Sequence, residues 1–413
     1  MRELILSDEQ KGFMPWLLNG VRKNRCVCLT GHAGSGKTTM MKMIENEWDK
    51  KRIFWCCPSH QAKNILSGKL ENSNVYTVAS ALGLGRKIIK GIEMFVPSYA
   101  HKINDAVGKS SGGGKFLLVV DESSMIDSAT LKYLIESRVD NILFIGDPAQ
   151  LPPVSSKHSP VYCDNDFPKY HLSKIFRQES GSNILQVAND TREQGVDTTV
   201  DNGIENILLS EEGVSDFFYK NPNGIALAPT HHIKDFCNRV GRMVSNGGVE
   251  PTATYMIGER LFLESPVNPP KGPKNGAVVT ISTTPVLESF EGFRLWRMAV
   301  TDEEGNSHSI MAPFDDDERK IVDKKIYALG RECKMGVTDE REGQINRTVE
   351  ILKSKIINVS HGFSMTIHKS QGSTFETVLL CVKGLDAFRR QGIHLNMVYT
   401  GITRASKKLV IGR

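Results

Sequence analysis

Short apolar runs recur along the chain, and nearly every one stops at a glycine, a proline or an acid. RCVCLT (25–30) runs into Gly31, KRIFWCC (51–57) stops at Pro58, FLLVV (116–120) at Asp121-Glu122, and NILFI (141–145) at Gly146-Asp147. After the first run, TMMKMIENEW (39–48) sets its apolar residues at helical spacing. Runs that are apolar throughout suit strands covered on both faces. Such strands alternating with helices predict a parallel α/β sheet with its ligands at the strands' carboxyl ends.

A second strand–helix series starts at GIALAP (224–229) and resumes, after a long interruption, at 363–368, 377–382 and 409–411. Each series carries one insertion. RKIIKGIEMFVPS (86–98) reads as a hairpin turning near Gly91, with SSGGG (110–114) as a flexible return. The later insertion opens on SPVNPPKGPKNG (265–276) and holds VVTIS, FRLWRMAVTD and EEGNSH, read as short antiparallel strands, before a charged helical stretch to about residue 355. The predicted layout is a first core at 1–85 and 115–180 with a hairpin insertion at 86–114. A second core at 181–265 and 360–413 then carries a β-rich insertion at 266–359. At the start of the chain, Ser7 followed by Gln10 predicts a helix opened by a capping box.

Composition narrows the class. At 413 residues the chain exceeds one hydrophobic core. No apolar run approaches the ~20 residues of a membrane span, and MRELILSDEQKGF lacks the apolar centre of a secretion signal. The net charge of +5 is too small to demonstrate a polyanionic partner, though a local basic groove fits within it. None of the eight cysteines forms a C-x-x-C pair, so they read as small hydrophobes in a reducing, cytoplasmic setting rather than a zinc site.

The chemistry concentrates at the strand ends. In GHAGSGKTT (31–39), Gly31, four residues, then Gly36-Lys37-Thr38 follow a strand and open a helix, the phosphate-loop pattern. Glycines let backbone N–H groups curl round a phosphate, and the helix N-terminus points its positive end at the same oxygens. Gly31, Gly34, Ser35, Gly36, Lys37, Thr38 and Thr39 are the expected nucleotide cradle, with Lys37 on the β- and γ-phosphates and Thr38 on Mg²⁺. Asp121 and Glu122, ending an apolar strand, are the expected partners: one carboxylate for Mg²⁺ and one to orient or activate water. Gln150, in GDPAQLPP, is placed to bond the γ-phosphate or its water.

Taken in order, GHAGSGKTT, DESSM, GDPAQLPPV, FRQ, SMTIHKSQGSTFETV and VYTGITRASKKLVI resemble the motifs of superfamily 1 helicases, specifically the RecD-like group with its small Dda-like phage members. The resemblance runs from Gln10 to Val410 and implies two RecA-like parallel-sheet cores, the second carrying an SH3-like β barrel with a helical extension. It makes Gln10 the reader of adenine, Asp121 the Mg²⁺ ligand, Glu122 the catalytic base and Gln150 the γ-phosphate sensor. Arg177 and Arg404 become the two arginines approaching the γ-phosphate, and Gln371-Gly372 the loop joining DNA contacts to the nucleotide. Ser59, His60, Thr77, Ser80, Thr366 and His368 match positions that touch the single strand, and Phe95, ahead of Tyr99, is the expected stacking or wedge aromatic. PSHQAKN departs mildly, with serine where the family usually has threonine.

The implied activity is ATP- and Mg²⁺-dependent unwinding of DNA with 5′ to 3′ translocation on single strands, the direction resting on resemblance alone. Expected partners are single-stranded and forked duplex DNA, with a single-stranded-DNA-binding protein or replication proteins alongside. The chain is expected to be monomeric, without membrane contact, serving replication, repair or recombination in a bacterial or phage-infected cell. Three other readings stay open: a nucleotide kinase, a scaffold using ATP only as a conformational ligand, and a motor on RNA.

Overall fold

The apolar runs of the first half are strands of one six-stranded sheet. In chain order its neighbourhood comprises α1 (Asp8–Lys23), β1 (Cys26–Gly31), α2 (Lys37–Glu47), β2 (Ile53–Cys57), α3 (His60–Lys69), β3 (Val75–Thr77), the hairpin strands β4 (Leu84–Ile89) and β5 (Ile92–Pro97), then β6 (Leu117–Val120), β7 (Asn141–Gly146) and β8 (Lys169–Leu172). The sheet order is β3-β2-β6-β7-β1-β8, and every neighbouring pair is parallel. The computed structural model describes residues 6–71, 74–89, 92–97, 100–110, 114–154, 156–163, 166–174, 183–194, 203–267, 272–273, 275–334 and 338–413. These residues fall into two compact units, Met1–Asn206 with Ile367–Ile411, and Ile207–Thr366 with Gly412–Arg413.

Strand alternation explains how the first unit's sheet is covered. Val27 and Leu29 face a core built with Phe13 and Leu17 of α1, Met40 and Ile44 of α2, and Leu66 of α3. Cys26, Cys28 and Cys56 face the other side, against Ile103, Leu131 and Leu134. These cysteines are buried, and burial pushes the Cys28 thiol up to about 12. They behave as small hydrophobes. Charged Lys51 and Arg52 stay outside β2, which starts at Ile53, and Arg52 pairs with Asp49 instead. β4 and β5 form the antiparallel hairpin, starting two residues before the expected insertion; Gly91 lies outside the described residues. Strands Phe375–Cys381 and Ala405–Gly412 and helices Asn183–Gln194 and His394–Ile402 supply the later part of this unit.

In the second unit, Ile225–Ala228 and Ser364–Thr366 pair in parallel. The strand expected from 363 to 368 is present but shorter, as Ser364–Thr366, because the chain turns from Ile367, whose carbonyl accepts from Ser370 N–H at 3.2 Å. Val359–His361 is a separate strand before it, and at Gly362 between them a Cβ would sit 2.9 Å from the Arg260 backbone. Of the expected antiparallel strands, VVTIS and FRLWRMAVTD form Val278–Ile281 and Phe293–Asp302, whereas EEGNSH is mostly the turn that leads from Phe293–Asp302 into Ser307–Pro313. With Arg260–Leu263, Val286–Phe290 and Val359–His361 they make a sheet paired antiparallel throughout. Helices Asp316–Lys334 and Asp339–Lys355 follow, packed on Phe293 and Leu295. Among the described residues, no helix is long and apolar enough to cross a membrane.

Candidate active site

The parallel register aligns the carboxyl ends of β1, β6 and β7, with Thr30 beside Gly146 and Val120 beside Phe144. The loops leaving these three strands carry the phosphate loop, Asp121-Glu122 and Asp147–Gln150. Gly34 and Gly36 sit in the left-handed region, at φ 82° and 89°, and a Cβ on Gly36 would collide with the Gln10 amide. Glycine at position 36 is therefore required by both conformation and space. Ser35 is buried, and Lys37 curls back to donate to the carbonyls of Gly31 at 2.7 Å and His32 at 2.8 Å.

A cleft of about 320 Å³, within the usual range of small-molecule sites, opens at these loops. Gly34, Gly36, Lys37, Thr38 and Thr39 form one wall, and Asp121, Glu122 and Gln150 another. Gly372 and Arg404 come from far along the chain to the same cleft. Arg404 is buried, its guanidinium held by the Thr400 and Ser373 carbonyls at 3.1 and 3.0 Å and by the Thr403 hydroxyl at 3.0 Å. Gly31, Ser35, Gln10 and Gln371 stand behind the lining. Gln371 donates to the Leu151 carbonyl at 3.2 Å, next to Gln150. Gln10 completes the capping box with Ser7, and its amide donates to the Ser35 carbonyl at 3.3 Å. Arg177 lies outside the described residues.

The charges are mutually perturbed. Burial draws the Lys37 ammonium below its ordinary range, opposed by Asp147, Glu122 and Asp121. Burial, then repulsion from Glu122, pushes the Asp121 carboxyl well above the usual carboxylate range, with Lys37 and Lys69 pulling the other way. A divalent cation would relieve that repulsion, and the Thr38 hydroxyl and Asp121 carboxylate offer the hard oxygen donors it takes. Glu122 has φ 51° and ψ 39°, a left-handed conformation rare outside glycine and typical of stored strain at working sites.

Several participants were not singled out by sequence reasoning. Lys69, Ile65 and Leu66 of α3 line the cleft; an amphipathic helix face gives no sign of which side meets a ligand. Asp147 is fully buried, 3.6 Å from Arg192, and receives the Tyr399 hydroxyl at 2.6 Å. The strand-end position of Asp147 was the available signal.

The residues expected at the nucleic acid are only partly assembled. β2 and β3 align Cys57 with Thr77, so Ser59-His60 and Thr77–Ser80 leave neighbouring strand ends. Ser59 caps α3 by accepting from Ala62 N–H at 3.1 Å, and exposed His60 opens that helix. Thr77 is buried and caps the next turn through Ser80 N–H, while Lys102 donates to the Ser80 hydroxyl at 3.1 Å. Phe95 pairs by backbone with Arg86. Thr366 ends its strand in the second unit. His368 belongs to the first, half-buried, with burial lowering its pKa.

Fold and cleft together define a P-loop nucleotide-binding α/β protein. A family model described as an AAA domain matches residues 5–207, and one described as a UvrD-like helicase C-terminal domain matches 361–411. The ATP-dependent RecD2 DNA helicase of Deinococcus radiodurans is 24% identical over 97% of this chain, and an uncharacterized protein of Methanocaldococcus jannaschii 26% over 94%. The chain spans 48% and 36% of those two relatives' lengths. The crystal structure of a Bacteroides Pif1 helicase with ADP-AlF3 and single-stranded DNA superposes with a TM-score of 0.56 at 18% identity, covering 99% of this chain and 92% of that one. The chain is thus similar, along nearly its whole length, to RecD-like and Pif1-like ATP-dependent DNA helicases. Its fold is the α/β fold with parallel sheets of those enzymes, with two RecA-like domains.

Proposed function

We infer that the protein hydrolyses ATP to translocate 5′ to 3′ on single-stranded DNA and unwind forked duplex, as a Dda-like motor inside the cell. The observation that carries this reading is one cleft lined by Lys37, Thr38, Asp121, Glu122, Gln150 and Arg404. Binding alone needs the first two. Hydrolysis needs the rest.

Lys37 and the N–H groups of 34–38 would hold the β- and γ-phosphates, with Gln10 as the adenine contact behind the loop. Thr38 and Asp121 would hold Mg²⁺, which supplies charge neutralisation between the phosphates. Glu122 takes the proton of a water attacking the γ-phosphorus in line, and Gln150 orients that water. Lys37, Arg404 and Arg177 balance the charge that spreads over the γ-oxygens as ADP leaves, a role worth ~10³–10⁵ in rate for arginines in related enzymes. Gln371-Gly372 would relay the change to His368 and Thr366, which with Ser59, His60, Thr77 and Ser80 grip the strand backbone. Phe95 on the hairpin would stack at the fork. Hydroxyls and backbone N–H groups position phosphates without reading sequence, as a translocating grip requires.

The test is ATPase activity with and without single-stranded DNA, followed by unwinding of forks with only a 5′ or only a 3′ tail. Strong stimulation by DNA and unwinding from the 5′ tail are expected. Equal activity without nucleic acid, or preferential stimulation by RNA, would reject DNA translocation, and efficient unwinding of only the 3′-tailed fork would reject the direction.

A further inference from the structure

Helix His394–Ile402 presents Asn396, Tyr399 and Thr400 on one face, and all three bond the loop that carries Gln150. Asn396 donates to the carbonyls of Ala149 at 2.9 Å and Gln150 at 3.2 Å. The Thr400 hydroxyl accepts from Leu151 N–H at 3.1 Å. Tyr399, 2% exposed, donates to the Asp147 carboxylate at 2.6 Å. Its remaining lone pairs face the phosphate loop, where the hydroxyl accepts from Ala33 N–H at 3.2 Å. One phenol therefore joins the phosphate loop to the loop of Gln150, and its own helix leads directly to Arg404.

The network fixes groups that need fixing. The Gln150 Oε1 is buried and finds no hydrogen-bond partner among the described residues, so its direction depends on the loop backbone. Asp147 has Ala149 N–H at 3.0 Å and Arg192 at 3.6 Å as its other partners. Neither reaches across to the phosphate loop. Tyr399 is the element of the network that does, and it touches no face of the cleft itself.

We propose that the Tyr399 hydroxyl is a positioning group for hydrolysis: by tying Ala33 of the phosphate loop to Asp147, it sets Gln150 and Arg404 in register with the γ-phosphate. This rests on the hydrolytic reading above. The phenol makes no bond to substrate, so its loss lowers turnover more than nucleotide affinity, because electrostatic stabilisation depends on fixed geometry.

Tyr399→Phe keeps the ring and deletes both bonds. Asn396→Ala removes a separate pin on the same loop and serves if the first variant folds poorly. ATPase kinetics with saturating single-stranded DNA, nucleotide-site titration and thermal melting would be measured for both. A kcat at least tenfold lower for Tyr399→Phe and about threefold lower for Asn396→Ala is expected, with KM for ATP within threefold of the parent and the full number of nucleotide sites. A kcat within twofold of the parent in both variants overturns the proposal, as does a loss of rate matched by loss of titratable sites. An inactive parent refutes the hydrolytic reading and this inference with it. An active parent with unchanged variants refutes the inference alone.

Discussion

Glu122 holds the left-handed conformation at φ 51°, beside a carboxylate that already resists ionisation. Both acids line the same cleft, where one can serve the metal and the other the attacking water. Glu122→Gln should therefore keep the fold and nucleotide affinity while lowering kcat by ~10²–10⁴, the usual worth of a general base. Steady-state ATPase and equilibrium binding of a fluorescent nucleotide decide it, and unchanged turnover would remove Glu122 from the role. Residue identities at strand ends were legible because glycine spacing and paired acids leave a chemical pattern. Gln10 was legible in two roles, capping box and base reader; its bonds with Ser7 form the box, and its amide also donates to the Ser35 carbonyl of the phosphate loop. Lys69 was not legible, because its importance lies in which side of α3 faces the cleft.

Among the elements, α3 joins two proposed tasks, with Ser59 and His60 at its start and Ala62, Ile65, Leu66 and Lys69 along the cleft. Ser59 has a structural duty besides any contact with nucleic acid, and charge can separate the two. Ser59→Ala should lower stability by ~1 kcal/mol through loss of the cap. Ser59→Asp should retain the cap and its favourable charge at a helix start, yet repel a phosphate backbone. Urea unfolding and fluorescence anisotropy with single-stranded DNA read the two effects. If the Asp variant binds as tightly as the parent, Ser59 is not at the DNA. The strands of the first unit's sheet were legible from apolar runs, since burial on both faces leaves little polar alternation to confuse, whereas the largely exposed Val286–Phe290 of the second unit gave no such signal. Their ends were less so: the strand expected from 363 to 368 stops at Thr366, where the chain turns through the Ser370 N–H to Ile367 carbonyl bond, a turn that carries no glycine or proline to announce it.

At the scale of the whole molecule, acid sensitivity should originate in the second unit. Burial lowers His361 to about 3, with Arg242 and Lys234 adding to the effect. An unfolded histidine takes up its proton near pH ~6.5, so between that pH and about 3 the unfolded chain binds the extra proton. Stability present above ~6.5 is then lost as pH falls, by up to ~1.4 kcal/mol per pH unit. His361→Gln should flatten this slope in urea midpoints measured from pH 7 to 5; an identical slope in both proteins would clear His361 of the effect.

The Ala33–Tyr399 bond spans 366 residues of sequence, whereas the strand, loop and helix around Lys37 are local. Loop-closure entropy and the order of synthesis both delay the long connection. At ~5–20 residues per second, tens of seconds separate the emergence of Lys37 from that of Tyr399 and Arg404. On the proposed hydrolytic reading, a nascent chain can thus cradle a nucleotide well before it can cleave one, and ATP would serve newly made protein as a folding ligand before it becomes fuel.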